Sequence, residues 1–215
     1  MNPLDNYYSG SAFSEGNVKV ITASSPWCNN QGTIGLTAGK WYWEIKATAV
    51  TANSMLGIAT MPATSTTDFP GNSNDSWAYY ASTGTMFNVT GGSYNNTSWG
   101  DGWNTNGLII GVALDLDNNR LYFARSNVWQ ASADPTDGTN ALTIIAPALT
   151  AGGQYTPCCG DYDNASQFTY EANFGNPSYA NSSDAADENG YGAFEFAPPS
   201  GYLAICTKNL GSDGG

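Results

Sequence analysis

The sequence predicts an all-β domain, and three observations carry that expectation. Short apolar runs recur along the whole chain, each closed by Gly, Pro, Asn, Asp or Ser. Alternation of period two recurs within the runs, and no window sustains the 3.6-residue period of a helix. Charged residues make up only 11% of the 215, in a chain rich in Gly, Ser, Thr, Asn and aromatics. That is the composition of short strands joined by many turns.

The expected strands are, in order, 18–22, 41–49, 55–60, 77–82, 108–116, 121–125, 142–149, 167–174, 192–197 and 202–207. In the second, Trp41, Trp43 and Ile45 share one face while Tyr42, Glu44 and Lys46 share the other. Two tryptophans on one face are a large apolar load, so this strand is placed centrally in its sheet. The run 108–116 turns at Asn118-Asn119 and returns through Leu121, Tyr122 and Phe123. A two-residue type I′ turn there uses the tolerance of Asn for positive φ. It sets Asp117 opposite Arg120, Leu116 opposite Leu121, Leu114 opposite Phe123 and Asp115 opposite Tyr122. Val112, Leu114, Leu116, Leu121 and Phe123 then form a core face. Residues 184–189 allow one helical turn at most. No second domain, linker or fixed-period repeat is visible, and 211–215 read as a flexible tail.

The formal net charge is −12, with six scattered Lys and Arg and no His. A phosphate-binding surface needs a basic stripe, so nucleic acid is not expected as a partner. Anionic membranes are disfavoured for the same reason. Residues 1–10 have neither the basic nor the apolar region of a signal peptide. No apolar run approaches the ~20 residues that span a bilayer. The Asn-x-Ser/Thr triplets at Asn88 and Asn181 follow from an Asn- and Thr-rich composition. The four cysteines lack the spacing of a disulfide framework or a zinc site. Cys28 and Cys206 read as small buried hydrophobes. Cys158-Cys159, beside Pro157 and Gly160, read as part of a turn.

Without histidine, Ser-His-Asp and Cys-His chemistry is excluded. A carboxylate pair is the remaining hydrolytic route, and Asp115/Asp117 and Asp161/Asp163 have strand spacing for one. Arg120 opposite Asp117 would lower its pKa rather than raise it, and Glu44 has no second Glu at strand spacing. Asp115-x-Asp117-x-Asn119 begins like a calcium loop. Arg120 then stands where that loop needs Gly, and Ser126 where it needs Glu. No cofactor is expected. The looser oxygen-rich loops, Asp161-Tyr162-Asp163-Asn164 and Asp134-Pro135-Thr136-Asp137, are the places for a structural calcium.

Four segments carry a family likeness in order. Gly39-Lys40-Trp41-Tyr42-Trp43-Glu44 resembles the strand that opens SPRY (B30.2-like) domains, and Leu56-Gly57-Ile58-Ala59 the strand that follows. Residues 109–115 with Leu121-Tyr122-Phe123 are similar to the family hairpin, and Asn173-Phe174-Gly175 to its late turn. The opening Asn2-Pro3-Leu4-Asp5 and the ending 198–210 resemble those of SPRY-like domains in bacteriophage tail and virion proteins. The family's Asn-Gly after the hairpin is replaced here by Arg125-Ser126-Asn127-Val128-Trp129. The resemblance implies a jelly-roll-like, concanavalin-like sandwich of two antiparallel sheets, with 1–210 as one domain. It also implies binding or virion structure, not catalysis.

A sandwich exposes function on its rim loops, because its faces are committed to packing. The long aromatic connection 89–107 holds Tyr94, Trp99, Asp101 and Trp103, while Trp77, Tyr79 and Phe87 read as core. Rigid aromatics among small polar residues suit an adaptable contact surface. Tyr94, Trp99, Asp101 and Trp103 are therefore the expected binding residues, with Trp99 or Trp103 partly exposed. The expected function is a non-enzymatic phage virion subunit. It would be either a tail-associated receptor binder or a capsid-decoration or head-fibre unit. Its partners would be other virion proteins, copies of itself in a homo-oligomer, or a host receptor or glycan. The alternatives are a free carbohydrate-binding lectin, a self-assembling surface subunit and a polysaccharide hydrolase.

Overall fold

A computed structural model describes residues 1–4, 10–24, 27–61, 68–90, 93–94, 97–162 and 167–211. In chain order the first strands are β1 (Ala12–Ser14), β2 (Lys19–Ile21), β3 (Cys28–Gln31), β4 (Lys40–Ala49), β5 (Ser54–Thr60) and β6 (Ser76–Tyr80). Next come β7 (Thr85–Phe87), β8 (Val89–Thr90), β9 (Ser93–Tyr94), β10 (Thr97–Ser98), β11 (Ile109–Asp115) and β12 (Arg120–Arg125). The last are β13 (Val128–Trp129), β14 (Leu142–Thr143), β15 (Tyr155–Asp161), β16 (Thr169–Asn173) and β17 (Leu203–Ala204). One short helix, α1 (Thr207–Leu210), follows. The protein is nearly all-β, as its alternation predicts.

Two sheets face each other. The larger runs β1-β2-β16-β4-β11-β12-β13, with β14 on β12 and β17 on β4; the smaller runs β10-β7-β6-β5-β15-β3. Pairing is antiparallel except for β17, which runs parallel to β4. The main core lies between the sheets. Trp41, Trp43 and Ile45 of β4 meet Leu56 and Ile58 of β5, Tyr79 of β6, and Val112, Leu114, Leu121 and Phe123 of the hairpin. The tryptophan-bearing strand is central, with β16 on one side and β11 on the other.

The outer face of the larger sheet is covered too. Tyr42, Ala113 and Tyr122 pack there against Phe194, Tyr202 and Ala204. These last residues belong to an irregular strap that follows β16 and crosses the sheet. Glu44, on that face, is wholly buried. Its Oε2 accepts from the Glu195 N–H (3.0 Å), Asn173 Nδ2 (3.1 Å) and the Tyr179 hydroxyl (3.2 Å). Its Oε1 accepts from the Phe196 N–H (2.8 Å) and the Tyr42 hydroxyl (3.2 Å). Burial pushes the Glu44 carboxyl above its usual 4.5, while the donors around it pull it down. Asp187 pins the strap further along. It accepts from the Tyr191 N–H (2.8 Å), the Ala204 N–H (2.9 Å) and Asn209 Nδ2 (2.7 Å).

Several expectations are corrected. The hairpin pairs Asp115 with Arg120, Leu114 with Leu121 and Val112 with Phe123, two residues from the predicted register. The turn therefore holds Leu116–Asn119, and only Asn119 has positive φ (56°). Asp115 stabilises this longer turn by accepting from the Asn118 N–H (3.0 Å) and its side-chain amide (2.9 Å). Asp117 accepts from the Gly39 N–H (2.8 Å), and the ion pair at this end joins Lys40 to Asp115 (3.4 Å).

Cys158 and Cys159 sit mid-strand in β15, not in a turn. β15 is paired on both sides and buried along its length, so it shows no polar alternation. All four cysteines are free; Cys28, Cys158 and Cys159 are buried, and Cys206 is half-buried. The run 142–149 gives only β14 and a 3-10 turn opened by Pro147. The segment 192–197 is strap, with a single bridge from Phe194 to Ala185. The run 202–207 shortens to β17, because Thr207 already begins α1. Residues 184–189 form no helical turn.

Candidate binding surface

The rim between β10 and β11 is held against the rim that follows β12. Gly84 has φ of 69°, and a Cβ there would lie 2.0 Å from the Gly100 carbonyl oxygen. Only glycine permits that approach, which lets the Gly100 N–H donate to the Gly84 oxygen (3.0 Å). The Trp103 N–H donates to the Ala81 oxygen (2.8 Å), and the Tyr79 hydroxyl donates to the Asp101 carbonyl. Gln130 bridges the two rims. Its Oε1 accepts from the Asp101 N–H (2.8 Å) and its Nε2 donates to the Val128 oxygen (2.8 Å).

A shallow cavity of about 420 Å³ results, lined by Trp99, Asp101, Val128, Trp129, Gln130 and Ser132 among others. Trp99 is half-buried, set edge-on to Tyr79 (6.0 Å) and Phe123 (5.9 Å). The Asp101 side chain is exposed, and Val128 is 64% exposed. Ser126 (φ 45°), Asn127 (67°), Ala131 (55°) and Ser132 (53°) are all left-handed. Such backbone costs about 1–3 kcal/mol per non-glycine residue and gathers where shape matters for function. Asn140 Nδ2 holds the second pair by donating to the Ala131 oxygen (3.0 Å).

The structure thus unites Trp99 and Asp101 and separates Trp103 from them. Trp103 is 0% exposed and packs on Tyr79 (6.1 Å) and Phe168 (5.7 Å). It is a core residue, and its place among the contact residues is corrected. Its neighbours Gly102 and Asn104 read as loop, but the ring turns inward to fill the inter-sheet space. The backbone of Tyr94 pairs with Val89 in the small β8-β9 ribbon, and its side chain lies outside the described residues. Val128 to Ser132 were not among the expected contacts. The signal present was the Ser-Asn pair before Val128, where two left-handed residues turn an apolar strand outward.

The candidate carboxylate pairs are committed elsewhere. Asp115 is buried and is engaged by Lys40 and Asn118. Asp161 is buried and accepts from the Thr22 hydroxyl (2.6 Å); Asp163 and Asn164 lie outside the described residues. In the loop at Asp134, Oδ1 accepts from the Thr136 N–H (2.8 Å) and hydroxyl (2.6 Å). These bonds hold the Asp134 carboxyl below its usual value. Among the described residues no three His, Cys, Asp or Glu side chains gather as a metal site would require.

No curated protein sequence matches the chain. Residues 40–139 match the model of the SPRY domain, a stretch that runs from β4 through the hairpin to the loop after the rim cavity. Among solved structures, the chain is similar to the SPRY domain of human HERC1. The match has a TM-score of 0.58 at 15% identity and covers 80% of this chain and 95% of that one. The family-model match over residues 40–139 and the structural match agree on the fold, a SPRY-like β-sandwich.

Proposed function

We propose that the chain is a non-enzymatic binding subunit of a bacteriophage virion, engaging a protein partner through the rim at Trp99, Asp101 and Val128. SPRY domains are generally non-catalytic modules of protein–protein interaction. The observation that carries the reading is the strained, two-rim cavity with a half-buried indole and an exposed valine at its lip. Contact energy concentrates on such aromatic anchors. The virion context is supported by the likeness of the first and last segments to phage virion proteins.

The test is whether the chain is present in purified particles of the virus that encodes it, and whether the rim holds it there. Trp99→Ala and Val128→Asp should each weaken incorporation by about 2 kcal/mol, roughly 30-fold in affinity. Val128→Asp should leave the melting temperature unchanged, since Val128 is exposed. Particles that lack the wild-type chain would sink the virion assignment. Full incorporation of both variants would sink the rim as the contact.

A further inference from the structure

A second aromatic feature lies away from this rim. Trp27, just before β3, is 37% exposed, and Tyr162, just after β15, is 41% exposed. Their rings are 6° from parallel with centroids 5.9 Å apart. Phe69, 1% exposed, stands beneath both, edge-on to Trp27 (5.7 Å) and to Tyr162 (4.7 Å). Phe69 is itself anchored on the outer face of the smaller sheet by Met55 and Ala78. Two large rings are thus held in one orientation by a buried third ring, yet much of each remains in water. Neither Trp27 Nε1 nor the Tyr162 hydroxyl has a hydrogen-bond partner among the described residues. β10 and β3 are the opposite edges of the six-stranded sheet, five strand steps apart, roughly 24 Å at about 4.8 Å per step. The pair is therefore separate from Trp99.

We propose that Trp27 and Tyr162 form a subsite for a neutral glycan. A pyranose ring has an apolar C–H face that packs on an aromatic face and a rim of hydroxyls that pairs with polar ring edges. The absence of charge on the ligand follows from the surroundings. No strand of the smaller sheet carries Lys or Arg, and the chain is at −12. An anionic sugar would meet repulsion with nothing to offset it. A proline-rich peptide, the other ligand of exposed aromatics, is the rival occupant.

The test is saturation-transfer NMR and titration of the whole chain with maltohexaose, cellohexaose, polygalacturonate and a decaproline peptide. At least one neutral hexasaccharide should bind. Trp27→Ala and Tyr162→Ala should each weaken it tenfold or more, and Tyr162→Phe, which keeps the ring, should weaken it less. Trp99→Ala should leave it unchanged, which separates this site from the rim. Circular dichroism of each variant confirms folding, and Tyr162→Phe carries the comparison if an alanine variant does not fold. Binding of decaproline alone, preference for polygalacturonate, no binding of any hexasaccharide, or binding indifferent to both rings each overturns the proposal.

Discussion

Trp99 and Trp103 lie four positions apart in one irregular segment, and their surroundings assign them opposite roles. Trp103 fills space between the sheets against Tyr79 and Phe168. Trp103→Ala should remove about 3–5 kcal/mol of folding free energy. For a chain of this size that lowers the melting temperature by roughly 6–20 °C. A scanning-calorimetry shift of under 3 °C or so would contradict its place in the core. The sequence could not separate the two indoles, because both sit among Gly, Asn and Asp. What separates them is backbone direction: the Trp103 N–H docks on Ala81, which turns that ring inward. Glu44 teaches the same lesson from the other side. Alternation placed it away from the tryptophans, but three of its five donors, Tyr179, Glu195 and Phe196, come from the strap, which has no periodic pattern.

At the scale of elements, β4 and the hairpin faces were legible because one face of each meets the tryptophan core and period two sorts residues by face. The hairpin register was not. A slip of two residues keeps every side chain on its own face, so the apolar pattern cannot detect it. Turn chemistry decided it, through the Asp115 carboxylate and the left-handed Asn119. Asn119→Val should therefore cost about 1–2 kcal/mol, the penalty for a branched residue in that conformation. The check is the urea midpoint, which should fall with an unchanged slope. A midpoint equal to wild type would mean that the turn relaxes to another form. β15 was missed for a different reason. Pro157, two cysteines and Gly160 look like a turn, and burial on both faces leaves no alternation to read. Gly160 is required by proximity: a Cβ there would lie 1.6 Å from the Cys28 oxygen.

Across the whole molecule, carboxylates tie the strap down, and their protonation sets its response to acid. Glu188 accepts from the Ser200 hydroxyl and the Gly201 N–H (2.8 Å); Glu195 accepts from the Ser182 N–H (2.7 Å) and hydroxyl. These hydroxyl and N–H donors hold both carboxyls below their usual 4.5. A depressed carboxyl contributes stability that is full above 4.5 and is lost as pH falls through the lowered value. Glu44 has the opposite sign, so acid does not release the strap there first. Hydrogen-exchange protection of the Gly201 and Ser182 amides should therefore fall below about pH 4.5. Glu188→Gln should remove the pH dependence at Gly201 and leave it at Ser182. Protection at both amides that stays flat down to pH 3 or so would refute the clamp.

The reach of the Glu44 bonds has a consequence for how the protein is born. Its two backbone donors lie 151 and 152 residues further along the chain. A ribosome adding about 5–20 residues per second needs roughly 8–30 s to make that distance. For all of that time the middle strand of the larger sheet carries an acid whose two backbone donors have not been synthesised. The nascent chain cannot cover the outer face of this sheet as the sheet itself emerges. That face must wait for residues 195 and 196, a long interval in which Tyr42 and Glu44 stand without the strap and are open to a chaperone.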